Sequence, residues 1–119
     1  MQTLQFEQTW ERSISAQDRL IIAQAFEQRI IQEGTVHAAI IRAAYNHRGE
    51  LLVTVLIHNE SDHDMQWVDR AVTLQTKQAT YTQSFTERKL IVLGKTSMPW
   101  TFIFKNIDVA VEEVLAIQF

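Results

Sequence analysis

The chain has 119 residues, a length typical of one domain; 46% are apolar and 21% charged, which excludes a disordered segment and supplies material for one core. Net charge is -3 with both signs interspersed, and a dedicated nucleic-acid or membrane-surface binder would show a basic patch instead. The chain has no cysteine, so disulfides, thiol catalysis and thiolate metal sites are excluded.

The opening stretch "MQTLQFEQTWERSIS" lacks a basic region followed by an apolar one, so no signal peptide is visible. No apolar run approaches the ~18 residues of a membrane span. The expectation is a soluble, cytoplasmic protein. The first clear element is a helix. Ser15 and Asp18 match a capping-box start, and Ile22, Phe26 and Ile30 recur at helical spacing, widened by Leu20, Ala23 and Ile31. Gly34 is expected to cap its C-terminus. The spacing predicts a helix over 16–32.

From Thr35 the period changes to two. "TVHAAIIRAAYN" and "ELLVTVLIHN" read as a hairpin turning at Gly49. Leu51, Val53, Val55 and Ile57 lie on one face of the second strand, and Leu52, Thr54, Leu56 and His58 on the other. Both faces are largely apolar, so this strand is expected to be central and covered on both sides. "MQWVDRAVTLQTK" reads as a strand with Met65, Trp67, Asp69 and Ala71 on one face and Val68, Val72 and Leu74 on the other. "ATYTQSF" and "KLIVLG" read as two short strands, and "PWTFIF" as another. The closing "IDVAVEEVLAIQF" favours a strand, with a short helix open for 108–119.

One helix followed by about seven strands at roughly 8–12-residue spacing is the pattern of an antiparallel sandwich. The fold expected is mainly β: an immunoglobulin- or fibronectin-like sandwich with an N-terminal helix. It forms a single domain over 1–119, with 1–34 as N-terminal segment and helix and 35–119 as sandwich.

Few residues carry chemistry. His58, Asp62 and His63 of "HNESDHD" are the metal candidates, but the spacing matches neither a calcium loop nor a zincin helix, and a hydrated hairpin loop explains the stretch. No G-x-S-x-G elbow, P-loop or G-x-G-x-x-G is present. Neither catalytic residues nor a cofactor are expected. Trp67 and Trp10 are the candidate binding surface for a sugar or other small ligand, against a core role. Pro99 lacks an N–H and belongs at a strand start or on an edge. With Trp100 it reads as a structural anchor. Trp100, Phe102 and Phe104 share one face, and Trp100→Ala is expected to cost ~3–5 kcal/mol.

Three stretches, "ISAQDRLIIAQAF" (14–26), "AAYNHRGELLVTVLIHNES" (43–61) and "GKTSMPWTFIF" (94–104), resemble the SLAP domain of Bacillus-type bacteria. In its best-known setting that domain occurs duplicated in a protein linked to S-layer assembly and an accessory Sec export system; here there is one copy. The resemblance implies a Gram-positive, cell-surface export context. It carries no catalytic residues to transfer. The function expected is a non-enzymatic protein-interaction module, an accessory factor in secretion or S-layer assembly. Its partner would belong to the export machinery or the surface layer, with no nucleic acid, and a homodimer would protect the sheet edges. The alternatives are a carbohydrate- or small-ligand-binding sandwich and, behind it, a metal-dependent enzyme.

Overall fold

Helical structure begins earlier, and ends earlier, than the apolar spacing predicts. In the computed structural model, which describes residues 1–119, a short strand β1 (Thr3–Leu4) leads into α1 (Gln8–Ser13) and α2 (Ala16–Glu27). Ser15 caps α2 as expected, its hydroxyl accepting from the Asp18 N–H at 3.0 Å. The helix stops at Glu27, not at 32. Gln28 takes the C-cap position, and Ile30 and Ile31 lie beyond it, 76% and 64% exposed. Gly34 is no helix cap. It adopts a φ of +77° in the following turn and donates its N–H to the Glu60 carbonyl. The chain leaves the helix because Glu60 recruits it: the Gln32 N–H donates to Glu60 Oε2 at 2.8 Å.

Six longer strands follow. They are β2 (Val36–Tyr45), β3 (Leu51–Asn59), β4 (Met65–Thr76), β5 (Thr80–Val92), β6 (Thr96–Phe104) and β7 (Val114–Gln118). One sheet has the order β1-β6-β3-β2 and the other β5-β4-β7. All pairings are antiparallel except β1 with β6. The fold is therefore mainly β, a two-sheet sandwich. Seven strands were expected and seven form, but not the same seven. "ATYTQSF" and "KLIVLG" merge into β5, and β1 is added. The closing stretch is both things left open: a 3-10 turn at Val111–Glu113, then β7.

The expected alternation in β4 fails halfway. Met65 and Trp67 are buried, but so are Val72 and Leu74, which the spacing put on the opposite face. A bulge at Trp67–Arg70 resets the phase, with Asp69 at a φ of +51° and its N–H held by Thr86 Oγ1. β2 bulges likewise between Ile40 and Arg42, so Ile40 and Ala43 both pack inward.

Pro99 lies inside β6, opposite Leu56, not at a strand start. The Thr3 and Gln5 N–H groups donate to the carbonyls of Lys95 and Ser97, so odd residues of β6 face β1. β1 ends at Leu4, so the missing N–H of Pro99 points where no strand waits for it. Gly94, which opens the turn before β6, lies against the backbone of Asp62; a Cβ there would meet the Asp62 carbonyl carbon at 2.8 Å.

Between the sheets, Trp67, Phe85, Phe102, Phe104 and Phe119 form a network of tilted and edge-on rings with centroids 4.8 to 6.1 Å apart. The inner face of β3 completes this layer. Its outer face lies under α2, which buries Ile22 there.

Candidate functional site

The outer face of the four-stranded sheet carries a buried polar group instead of a second apolar layer. Folding β2 against β3 about the Asn46–Glu50 turn places His37 opposite His58. Their rings lie 5.0 Å apart at 41°. His37 Nε2 pairs with Glu60 Oε2 at 2.6 Å, and that oxygen also accepts the Gln32 N–H. His58 Nδ1 lies 2.6 Å from Ser97 Oγ. Gln2 Nε2 donates to the same oxygen at 3.1 Å, so the N-terminal segment closes one side of the group.

Burial shapes the charge states. Loss of water pushes the His58 imidazole down to about 4, and the neighbouring His37 and Arg29 push the same way, against the opposing pull of Glu60. His58 is therefore neutral near pH 7. Burial alone would raise the Glu60 carboxyl. Hydrogen bonds from His37 and the Gln32 backbone, with the charges of His37 and Arg29, outweigh it and hold Glu60 below the usual carboxylate range. A serine beside a histidine suggests a nucleophile, but Ser97 is 0% exposed and held from both sides. In this arrangement a substrate cannot reach its oxygen.

The sequence candidates fall in different places. The metal candidates are not brought together. His58 points into the helix-side cluster, whereas Asp62 and His63 stand exposed on the hairpin loop, and no three such side chains converge to hold an ion. That loop is organised by Asn59, whose Nδ2 donates to the carbonyls of His63, Val92 and Leu93. Trp67 is 1% exposed and cannot serve as a binding surface; the β4 bulge turns it into the core beside Phe102. Trp10 stays half-buried, at a cavity of about 130 Å³ lined also by Ile21, Ile22 and Thr54. Trp100 packs on the core while half-buried. Its indole N–H makes no hydrogen bond of normal geometry, yet it approaches Glu87 closely enough to offset part of the rise that burial causes in that carboxyl.

Sequence reasoning missed the partnership of His37, Glu60 and Ser97. The first was legible: once the hairpin turn is placed at Gly49, His37 falls across from His58. Ser97 arrives from a distant strand and leaves no local trace.

The decisive comparison is with families of related chains. The profile of the SLAP domain matches residues 4–119. The chain belongs to the SLAP domain family. The match runs from the end of β1 through the last residue of the chain, so His37, His58, Glu60 and Ser97 and the six longer strands lie within the SLAP domain itself. No curated protein matches the chain, and neither does any solved structure.

Proposed function

We propose that this SLAP domain is a non-enzymatic protein-interaction module, an accessory factor in secretion or S-layer assembly that works in the cytoplasm. It would dock an extended segment of an export or surface-layer protein on the free edge of β2. The family's designation as a secretion-accessory domain supports the setting. The observation that carries the mechanism is the edge itself. β2 ends the order β1-β6-β3-β2, and the Glu60 N–H donates to the Thr35 carbonyl, so Val36, Ala38 and Ile40 turn their backbone groups away from β3. Added strands satisfy such groups with main-chain hydrogen bonds and need no special side chains. At the other end of β2 the Tyr45 hydroxyl bonds to the backbone of Val109, which leaves Val36–Ile40 as the open half.

Ala38→Pro tests this, because it removes an outward N–H and leaves the ladder to β3 in place. Tagged protein purified from cells actively building a surface layer should retain an export or surface-layer protein, and the Ala38→Pro variant should lose it. Equal retention by both chains, or none by the unaltered one, would overturn the proposal.

A further inference from the structure

A cleft of about 370 Å³ opens beside the histidine cluster, between the end of α2, the 28–32 segment and β2. Its walls combine Ile30, Ala39 and Ile41 with Arg29, His37 and His58. Two buried polar atoms on these walls have no partner: Nε of Arg29 and Nε2 of His58. Both are donors. Ser97 Oγ already accepts from Gln2, and the only acceptor within reach of its own proton is His58 Nδ1. The hydroxyl therefore donates to Nδ1, and the neutral ring carries its hydrogen on Nε2.

Arg29 is held in place. Its Nη1 donates to the Phe26 carbonyl at 3.2 Å, and its guanidinium lies 4.6 Å over the Phe26 ring. None of the chain's three ion pairs includes it. The nearby carboxylate of Glu60 is engaged by His37 and Gln32. A buried donor left without an acceptor costs about 1–3 kcal/mol, so two of them on one cleft wall point to a missing acceptor.

We propose that this cleft binds a monocarboxylate, the charged head meeting Arg29 Nε–H and His58 Nε2–H on a small outward movement of the exposed 28–32 segment and a short apolar tail lying on Ile30, Ala39 and Ile41. Two donors, one of them cationic, repel a metal ion. A dianion such as phosphate would place a second negative charge close to Glu60 with one fixed cation to offset it. A single carboxylate has two acceptor oxygens, one for each donor. The volume lies within the range of small-molecule sites, roughly 300–1,000 Å³. The carboxylate comes from a free short-chain acid or from the C-terminus of a peptide. The site does not depend on the strand-docking proposal, since it needs no main-chain pairing with β2.

The test is a two-dimensional amide NMR titration of the full chain at pH 7 with sodium butyrate, and with butyramide as a neutral match of the same shape. Butyrate should shift the amides of 29–32 and 37–41 and saturate, while butyramide binds roughly tenfold more weakly or less, the loss of one charge-assisted hydrogen bond. Arg29→Gln should weaken butyrate by a similar factor. Should that variant fold poorly, Ala39→Leu fills the cleft from an exposed position and should also reduce binding, whereas Ile31→Ser, outside the cleft, should leave it unchanged. A short peptide ending in an apolar residue distinguishes the sources. Tighter binding than butyrate, lost on amidation of its terminus, assigns the site to a chain terminus; weaker binding assigns it to a free acid. Equal binding of butyrate and butyramide, unsaturating shifts spread over the surface, or unchanged affinity in Arg29→Gln and Ala39→Leu would overturn the proposal.

Discussion

The two faces of β3 are both covered, the inner one completely and the outer one in part, and they are built from different chemistry. Inward, Leu51, Val53, Val55 and Ile57 are fully buried against the aromatic layer. Outward, Leu52, Thr54, Leu56 and His58 alternate apolar and polar groups; Thr54 and His58 bond to Thr101 and Ser97 of β6, and α2 covers part of this face. The inner face is stabilised by area removed from water, which tolerates no gap but needs no directed partner. The outer face depends on partners, and two donors there, His58 Nε2 on β3 and Arg29 Nε on the segment that covers it, lack them. A saturated apolar layer has nothing left to offer a ligand. A polar layer with unused donors does.

The contrast can be strained at several points. Trp67→Ala empties the centre of the aromatic layer and should destabilise the fold by about 3–5 kcal/mol in urea unfolding. Trp100→Ala, from a half-buried position, should cost about 2 kcal/mol. That is below the ~3–5 kcal/mol expected for a fully buried ring. If Trp100 proves the costlier of the two, the layer is not centred where the ring contacts place it.

The outer face should instead report pH. Unfolded, His58 takes up a proton as pH falls through about 6.5, whereas folded it resists until about 4. The unfolded state therefore binds more protons within that window, and stability falls as pH drops across it. The loss should be on the order of 2 kcal/mol, allowing for solvent in the cleft. It should be absent in His58→Leu, and an unaltered slope in that variant would remove His58 as its source. Thr54→Val breaks the Thr54–Thr101 hydroxyl contact of 2.9 Å on the same face and should cost about 1 kcal/mol in thermal unfolding. Ile31→Ser, on exposed chain beyond α2, should change stability by less than about 0.5 kcal/mol. A larger loss would mean that residues 30–31 are covered in solution.

Much of the fold could be read from local pattern. The cap at Ser15, the hairpin at Gly49 and the doubly covered β3 follow from spacing and turn chemistry, which act over a few residues. The errors share one cause. The end of α2 falls short of the expected position because Glu60, 28 positions beyond Gln32 in sequence, captures the Gln32 N–H. Val72 and Leu74 join Met65 and Trp67 on the inner face because a bulge at Asp69 inverts alternation, and nothing in "WVDRAV" announces it. The metal candidates were grouped by adjacency, but His58 and His63 leave the backbone on different sides of a turn.

The sequence alone determined the class of molecule: a β-rich fold without thiol chemistry, whose central strand is covered on both sides and whose quoted stretches carry the SLAP resemblance. These properties depend on composition and short-range periodicity, which the unfolded chain already contains. Tertiary structure alone decided which polar residues meet. Ser97 reaches His58 from the neighbouring β6, Glu60 reaches His37 of β2 from the end of β3, and Arg29 comes to the same cleft from just beyond the end of a helix. Whether a donor is satisfied or left waiting depends on atoms brought together from distant positions, and no local pattern records that.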